Sequence, residues 1–340
     1  MLTIRPSSPR SGVALDLGTV GTLVSVPSRG TLIEEPTVVA RRRGTDHVVA
    51  VGSDAEALAA CGADDLDIVH PLGSGVVSDP DAATALVAEV VRRAAGSLLF
   101  ARPTLVVGVP DGATDVERHA LAEVVRSTSR HPRVSLVSEA LAAALGAGPG
   151  GAEASVIVDI GGGTTELAVV AGGHRTAHRS IRVAGNAMDE AVARAVRSEH
   201  GLVIGARTAE TLKVSSGLVG GGPSMTVTGR DARRWGWLRS EPVEPALVAE
   251  ALGRPAAAIL RAFEDLIADV PPDLAEAVVT RGVRLAGGGS QLLGLADRFC
   301  QTTCCAAKVV DDPVRCVLRG LERCLRPDRL RPSQPADTAA

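Results

Sequence analysis

A motif that occurs twice constrains the fold of this chain more than any other feature of its 340 residues. The segments VALDLGTVGTLVSV, from Val13, and VIVDIGGGTTELAVV, from Val156, share one pattern. Each reads as an apolar strand, an aspartate, a glycine-rich turn with threonine, and a second apolar strand. The two aspartates, Asp16 and Asp159, are 143 residues apart. Two copies of one strand–turn–strand hairpin predict a duplicated fold whose halves share a cleft.

Strands and helices alternate along the rest of the chain, which is typical of an α/β architecture. A strand is predicted at Thr104–Val109, where Pro110 ends it. Helices are predicted at Pro80–Ala95, Thr114–Ser127, Ser138–Ala147, Ala187–His200, Thr208–Ser215 and Pro245–Asp269. Glycines and a proline at 148–151 interrupt regular structure, so we expect the chain to cross between its halves there.

Composition excludes several classes of protein. Apolar residues make up 45% of the chain but aromatic residues only 1%, so the core must be aliphatic. The net charge of −3 argues against general nucleic-acid binding. We find neither a secretory signal nor an apolar stretch long enough to span a bilayer, and therefore expect a cytoplasmic protein. The six cysteines lack paired C-x-x-C spacing and are predicted to be free thiols.

The two hairpins carry the residues that a phosphate chain and a divalent cation need. Glycines at Gly18, Gly21 and 161–163 allow backbone N–H groups to approach a phosphate closely. Mg²⁺ prefers oxygen ligands, and Asp16 and Asp159 each lie at the end of a strand, aimed into the turn. No G-x-x-x-x-G-K-[ST] motif occurs, so a P-loop is excluded. The alternative is a pair of ordinary tight hairpins with Asp and Gly in their turns.

Six ordered blocks give the chain a specific resemblance. The blocks are DLGTVGT at Asp16–Thr22, DIGGGTTE at Asp159–Glu166, SIRVAGNAMDEA at Ser180–Ala191, IGARTAETLK at Ile204–Lys213, LAGGGSQLLGL at Leu285–Leu295 and DDPVRCVLRG at Asp311–Gly320. They resemble DLGTANT, DIGGGTTE, SIRVGGDEMDEA, IGERTAEEIK, LTGGGALLRGL and EDPLTCVARG of the bacterial actin MreB/Mbl family. That family belongs to the actin/Hsp70/sugar-kinase ATPase superfamily. The similarity extends from about Gly12 to Leu325.

The resemblance implies an actin-like, ribonuclease H-like duplicated α/β fold with two lobes around a nucleotide cleft. It implies the following lobes: 12–148 plus 318–326 for lobe I, with a small subdomain at roughly 35–70, and 151–317 for lobe II, with a small subdomain at roughly 187–245. The segments 1–11 and 327–340 are expected to be flexible tails.

The resemblance also implies ATP and Mg²⁺ as cofactors, with Asp16 and Asp159 at the metal. The implied nucleotide contacts come from both hairpins, from one helix and from a third glycine turn: Asp16, Gly18, Thr19, Val20, Gly21, Gly161, Gly162, Gly163, Thr164, Glu210, Thr211, Leu212, Lys213, Gly287, Gly288, Gly289, Ser290 and Gln291. Without the family, Glu210 and Lys213 would be read as a surface ion pair one helical turn apart.

Glu117 is the implied residue for positioning the attacking water, because VPDGATDVER resembles the family's VPxGxTxVER. Thr164 is a second candidate, and Asp159 completes the catalytic set. Thr114 and Glu117 are also spaced as a capping box, which alone explains a glutamate at this position. Hydrolysis would rest on positioning and charge neutralisation rather than on a covalent intermediate.

Three departures from the family pattern concern the cleft. Gly21 replaces the family's Asn in the first hairpin, Asn186 replaces an Asp, and Ser138–Ala140 reads SEA in place of EEP. The first change removes an amide contact to the nucleotide, and the others alter details of the cleft.

A hydrophobic segment, Leu98, Leu99 and Phe100, lies between a predicted helix and a predicted strand, where polar residues are expected. In the family the matching loop inserts into the membrane, and Arg92, Arg93 and Arg102 flank it here. The alternative is that the three side chains pack into the core.

Together these observations predict a weak ATPase that forms homopolymeric filaments on the inner face of the cell membrane. Its partners would be inner-membrane lipids and membrane proteins of the cell-wall (peptidoglycan) synthesis machinery. The alternatives are a degenerate nucleotide-binding protein that does not polymerise, which Gly21 favours, and a small-molecule kinase of the same superfamily, for which we find no substrate-activating Asp motif. A chaperone ATPase would normally carry a further substrate-binding domain.

Overall fold

The computed structural model describes residues 12–96, 103–129, 132–148, 155–172, 174–234, 236–303 and 305–325. The predicted membrane loop, Leu98–Phe100, and the two predicted tails lie outside the described residues.

Within its described residues, the first half of the chain forms ten strands and four α-helices. They are β1 (Gly12–Leu17), β2 (Gly21–Val26), β3 (Thr31–Pro36), β4 (Val39–Arg42), β5 (Val48–Val51), α1 (Ser53–Ala60), β6 (Leu66–Val69), β7 (Leu72–Gly73), β8 (Val76–Val77), α2 (Pro80–Ala95), β9 (Thr104–Val109), α3 (Asp115–Arg126), β10 (Arg133–Ser138) and α4 (Glu139–Gly146). Five strands form one sheet in the order β10-β9-β1-β2-β3, β5-β4-β6 form a second sheet, and β7-β8 form a ribbon.

The second half repeats this plan. Its elements are β11 (Ser155–Ile160), β12 (Thr165–Ala171), β13 (His174–Ile181), α5 (Gly185–His200), β14 (Leu202–Val203), α6 (Ala206–Ser216), β15 (Met225–Asp231), β16 (Leu238–Val243), α7 (Pro245–Ala268), α8 (Pro272–Arg281), β17 (Val283–Ala286), α9 (Leu295–Thr303), β18 (Ala307–Val309) and α10 (Cys316–Cys324). The large sheet has the order β18-β17-β11-β12-β13, and β14-β15-β16 form a small sheet.

The two large sheets have the same topology. In each, three strands are parallel and two further strands continue the sheet as an antiparallel meander. The registers of the two hairpins match as well, since Asp16 pairs with Leu23 and Asp159 pairs with Glu166, each seven residues on. The duplication predicted from the repeated motif is therefore present in the structure.

Local sequence explains why α2 forms where it does. The Asp79 side chain accepts the Ala82 N–H at 2.9 Å as an N-cap, Pro80 occupies the first turn, and Gly96 with positive φ ends the helix. Its apolar residues recur with helical spacing and are buried against the first large sheet: Ala83, Leu86, Val87, Val90, Val91 and Ala94. Each large side chain of this stripe contributes about 1.5–3 kcal/mol on burial.

Helices α4 and α10 join the two halves. Their apolar side chains share one core cluster with residues of both large sheets, among them Ala14 and Val106 from the first and Ile157 and Ala286 from the second. The helices cross with their backbones in contact at Gly320, where an added Cβ would lie 2.5 Å from the carbonyl carbon of Ala142. Only glycine permits this approach.

Other sequence expectations can be compared directly with the structure. The predicted helices are present within two residues of their predicted ends. The turn at Gly287–Gly289 leads into a short 3-10 helix, Gly288–Gln291, and α9 begins only at Leu295. All cysteines in the described ranges are free thiols, as predicted. Among the described helices, none is long and apolar enough to cross a membrane.

Candidate functional site

The two hairpins face each other across a cavity of about 510 Å³ between the two halves of the chain. Each turn is closed in the same way: the Gly18 N–H donates to the carbonyl of Gly21 at 3.0 Å, and the Gly161 N–H donates to that of Thr164 at 2.9 Å. A cavity of this size accommodates a small-molecule ligand.

Carbonyl groups of both turns accept hydrogen bonds from the protein. In the first hairpin, Thr37 donates its hydroxyl to Gly18 O at 2.7 Å and its N–H to Val20 O at 2.8 Å. In the second, the carbonyls of Gly161 and Gly162 accept the N–H groups of the first residues of α5, at 3.1 and 2.8 Å. These bonds hold each turn in one conformation, which preorganises it for a ligand.

The hairpin tips also touch each other. A Cβ added to Gly162 would lie 3.1 Å from the Cβ of Val20, with a Val20 methyl closer still. A Cβ on Gly163 would lie 3.0 Å from the Cβ of Thr19. The second hairpin therefore requires glycine where it meets the first. The Thr19 hydroxyl in turn accepts the Gly75 N–H at 2.8 Å.

Three carboxyl groups line the cavity close together, those of Asp16, Glu139 and Asp159, and a fourth, Glu166, lies beside Asp159 outside the lining. Burial raises the pKa of Asp16 to about 7, and burial together with Asp16 and Glu166 raises the pKa of Asp159 to about 8. Burial, then the neighbouring acids, raises the pKa of Glu139 well above its usual range. Burial also raises the pKa of Glu166 to about 7, against the opposing effects of Ser180 and Arg118.

The carboxylate geometry fits a divalent cation. The buried Oδ1 of Asp159 has no hydrogen-bond partner among the described residues. A buried acceptor left without a partner is costly, and a hydrated Mg²⁺ held by one or two carboxylates would satisfy it. Within the described ranges no group of three or more His, Cys, Asp or Glu side chains is arranged to hold a metal ion together, and the candidate site stays the predicted pair, Asp16 and Asp159.

The third glycine turn lies beneath the second hairpin. Gly287 has φ of 77°, and a Cβ there would lie 2.7 Å from Asp159 Oδ1. Residues 287–289 and Gln291 line the cavity. Ser290 does not: it is buried, and its hydroxyl donates to Gly287 O at 2.7 Å, which shapes the turn.

Helix α6 presents only some of its predicted residues to the cavity. Glu210 and Lys213 line it, one helical turn apart. Lys213 pairs with Asp189 of α5 at 2.9 Å rather than with Glu210. Leu212 is buried in the core of the second half, and the Thr211 hydroxyl bonds back to its own helix at 2.8 Å. Neither lines the cavity, because adjacent helical residues point in different directions.

Glu117 lies outside the cavity lining. Its carboxylate closes the predicted capping box with Thr114, accepting the N–H at 2.7 Å and the hydroxyl at 2.9 Å, and pairs with Arg182 at 3.1 Å. These contacts lower the pKa of Glu117, the Thr114 hydrogen bonds most. The structure therefore shows the capping role of Glu117, and its catalytic role stays a prediction.

Glu139 is the functional candidate that sequence reasoning missed. It follows β10, begins α4 and lines the cavity with a buried side chain. A Cβ on Gly108 would lie 3.3 Å from Glu139 Cγ and 3.7 Å from Asp16 Oδ1, so both acids pack over the same strand. The signal that could have indicated Glu139 was topological, because the carboxyl ends of neighbouring parallel strands meet at one edge of a sheet.

A polar network behind the cavity connects the two halves. Buried Asp111, in the loop after β9, accepts the Ser138 hydroxyl at 2.9 Å and an ion pair from Arg175 of β13. The Asp111 N–H donates to Glu166 at 3.2 Å. Ser138 caps α4 by accepting the Leu141 N–H at 3.1 Å. The network therefore fixes the first turn of the helix that carries Glu139.

Comparison with known proteins identifies relatives along nearly the whole chain. The family model described as "MreB/Mbl protein" matches residues 10–330. The cell shape-determining protein MreB of Escherichia coli K12 is 34% identical over 318 residues, covering 91% of each chain. The cell shape-determining protein Mbl of Bacillus subtilis is 32% identical over 317 residues, covering 91% of this chain and 93% of that one.

Solved structures show the same fold. MreB5 of Spiroplasma citri bound to AMPPNP superposes with a TM-score of 0.86 at 30% identity, covering 94% of this chain and 96% of that one. The MamK double helical filament superposes with a TM-score of 0.76 at 26% identity, covering 92% and 98%. The predicted actin-like fold is confirmed.

Proposed function

The chain belongs to the MreB/Mbl family of actin-like proteins, and on this premise we propose that it binds ATP with Mg²⁺ between its two hairpins and hydrolyses it. One observation carries the proposal: two hairpins of identical register bring Asp16 and Asp159 to the floor of one cavity. MreB5, at 30% identity, was solved with AMPPNP and with ADP.

The phosphates would lie between the two glycine turns, whose N–H groups and threonine hydroxyls are donors. Glu210 and Lys213 would meet the adenosine end, and the turn at 287–289 with Gln291 would close the floor. Thr211, Leu212 and Ser290 would act from behind, by holding α6 and the third turn in place. Lys213 stays anchored to Asp189, which fixes its ammonium at the edge of the cavity.

Asp16 and Asp159 would hold the Mg²⁺, which supplies charge neutralisation for the phosphates. In the absence of a cation, burial favours their protonated forms. Their raised pKa values therefore make cation binding release protons at neutral pH.

Beside the predicted Glu117, we propose that Glu139 and Thr164 help to orient the attacking water. Both line the cavity and are buried. Burial and the neighbouring acids raise the pKa of Glu139, which favours its protonated form; a Mg²⁺ held by Asp16 and Asp159 would lower that pKa and leave a carboxylate that can accept a proton. Glu117 would also hold the start of α3 and, through Arg182, the opposite half of the cleft.

Membership of the family supports a more specific proposal about the role of the protein in the cell. The chain would polymerise with ATP, as a weak ATPase, on the inner face of the cell membrane, and would guide peptidoglycan synthesis with its membrane partners. Leu98, Leu99 and Phe100 would contact lipid. Lobe I would comprise 12–148 plus 318–326 and lobe II 151–317, with α4 and α10 as the connection between them.

Two other functions are alternatives to a polymerising ATPase. Gly21 favours a nucleotide binder that does not polymerise. The turn at Gly21 is nevertheless intact, and a Cβ added there would contact only Glu35 O, at 3.8 Å. A small-molecule kinase would need a substrate-activating acid near the phosphates, and Glu139 is the residue that would have to serve it.

Fluorescent ATP binding, with and without Mg²⁺, tests the nucleotide proposal. We expect binding that EDTA weakens and that Asp16→Asn and Asp159→Asn each weaken about tenfold or more. Sedimentation with ATP then separates the filament from the monomeric binder, and phosphate transfer to a panel of sugars tests the kinase. Binding that is indifferent to Mg²⁺ and to both substitutions would overturn the assigned site.

A further inference from the structure

The hairpin formed by β15 and β16 carries adjacent, exposed, large apolar side chains. Trp237 is 70% exposed and Leu238 is 72% exposed. The chain contains only two tryptophans, and both belong to the segment GRDARRWGWLRS of this hairpin. In a chain with so few aromatic residues, exposed Trp beside Leu marks an interaction site rather than incidental surface.

The outer face of this hairpin is free of acids. Val203, Arg230 and Leu238 form one row across β14, β15 and β16, because Arg230 pairs with Val203 on one side and Leu238 on the other. Going along both strands, the residues at the exposed positions are Thr226, Thr228, Arg230, Leu238, Ser240 and Pro242. The intervening Val227 and Val243 are buried in the core. The exposed face is therefore apolar, hydroxylated and cationic.

The acids of the hairpin are already neutralised by one arginine. Arg239 pairs with Asp231 at 3.5 Å and with Glu241 at 3.0 Å. Among the described residues, no carboxylate lies within ion-pairing distance of Arg230, Arg233 or Arg234. The segment GRDARRWGWLRS has four arginines and one acid, Asp231, in a chain of net charge −3. A local cationic site on an acidic protein favours an anionic partner.

The tip holds its shape through its own hydrogen bonds. The Asp231 N–H donates to Trp237 O at 2.9 Å, and the Trp237 N–H donates to Arg234 O at 3.2 Å. The Asp231 carboxylate accepts the N–H groups of Arg233 and Arg234 at 2.8 and 3.1 Å. Trp237 is thus presented on a preformed tip, so docking it orders little additional chain.

We propose that this hairpin contacts lipid, with Trp237 and Leu238 in the interface of an anionic bilayer and Arg230, Arg233 and Arg234 against the headgroup phosphates. Indole rings favour the membrane interface, and arginines near an anionic leaflet add attraction. A projecting tip inserts between lipids without needing the shaped pocket that a protein partner would have to supply. The inference rests on the membrane association proposed above and gives it a second contact, separate from Leu98–Phe100.

Tryptophan fluorescence tests the contact directly. The Trp235→Phe variant leaves Trp237 as the sole tryptophan of the full chain. We expect vesicles containing phosphatidylglycerol to shift its emission to the blue, brominated acyl chains to quench it, and pure phosphatidylcholine to do neither. Insertion of Leu98–Phe100 alone leaves this signal unchanged, because that loop has no tryptophan. Co-sedimentation with anionic vesicles without a blue shift would therefore overturn the inference while sparing the membrane proposal.

Matched variants provide the second measurement. We expect Trp237→Ser combined with Leu238→Ser to weaken vesicle binding about tenfold or more, because the two substitutions remove the apolar area that would be buried in the interface. Val116→Ser on α3, which is 79% exposed, removes apolar surface elsewhere and should leave binding unchanged. Unaltered ATP binding verifies that each variant is folded.

Each remaining outcome is decisive. Equal vesicle binding by the double variant and the control rejects the hairpin contact. A blue shift that follows polymerisation in the absence of vesicles assigns the tip to a second copy of the chain and also rejects it. Failure of the unaltered protein to bind any anionic vesicle rejects this inference and the proposed membrane association together.

Discussion

The crossing of α4 and α10 gives a prediction whose magnitude follows from the structure. A methyl group at Gly320 would lie 2.5 Å from the carbonyl carbon of Ala142 and 2.8 Å from its Cα. The Ala142 carbonyl oxygen is closer still, and all three atoms are backbone, so the helices must separate by about 1.5 Å to restore van der Waals distance. Gly320→Ala should then cost about 3 kcal/mol of packing, at the upper end for overpacking, offset by about 1 kcal/mol of helix propensity.

For a chain of 340 residues the net loss of about 2 kcal/mol corresponds to a melting temperature lower by about 3 °C. Gly253→Ala is the matched control, because Gly253 also lies inside a helix but a Cβ there would meet nothing within 4 Å. That variant should gain about 0.5–1 kcal/mol. Thermal unfolding followed by circular dichroism, in the absence of nucleotide, compares the two. A Gly320→Ala variant as stable as the control would refute the reasoning that the two halves are held by backbone contact.

Four further predictions concern the cleft. Glu139→Gln should leave ATP affinity within a few-fold and slow single-turnover phosphate release by about 10²–10⁴. Without Mg²⁺, thermal stability should fall as the pH rises from about 4 to 8, because Asp159 with its raised pKa binds more protons in the folded state than in the unfolded state, and Asp159→Asn should flatten that slope. Gly162→Ala should weaken ATP binding about tenfold by pushing against Val20, and Val20→Ala should restore it. Arg175→Ala should cost about 2–3 kcal/mol, because it leaves the buried Asp111 carboxylate without its charged partner while Arg175 itself is 29% exposed.

Each of these has a result that contradicts it. Loss of ATP binding in Glu139→Gln would make that residue a binding group rather than a base. An upward slope of stability with pH would mean that the folded carboxyls bind fewer protons than the unfolded ones. Additive effects of the Gly162 and Val20 substitutions would show that the two hairpins do not touch, and full stability of Arg175→Ala would show that Asp111 needs no cation.

The parts of the site that are local in sequence could be predicted from it. Each hairpin is specified by a single stretch of strand, aspartate and glycine, and the structure has both with the predicted ends and the same register. Glu210 and Lys213 could also be predicted, since their spacing places them on one face of α6. The side chains of Thr211 and Leu212 do not face the cavity, because adjacent residues of a helix point to other faces.

The parts that depend on tertiary convergence could not be predicted in this way. Glu139 reaches Asp16 only because β10, β9 and β1 are parallel neighbours whose carboxyl ends meet. Glu117 had a local sequence signature, and the structure shows the capping box that this signature predicts. The ion pair of Asp111 with Arg175 joins residues of different halves, and neither residue lies in a motif that signals the other.

The two hairpins, although duplicated, are anchored differently, and this difference bears on how the cleft would respond to a ligand. The first turn is held by Thr37, which follows β3 in the same sheet. The second is held by the N–H groups that begin α5, the helix that also carries Asp189, the partner of Lys213. A displacement of the second turn by a phosphate would therefore be transmitted through the start of α5 to Asp189 and Lys213, whereas the turn of the first hairpin is bonded to Thr37 and, through the Thr19 hydroxyl, to Gly75. The glycines of the second turn lie against Val20 and Thr19. The displacement would therefore begin where the two halves of the chain are already in contact.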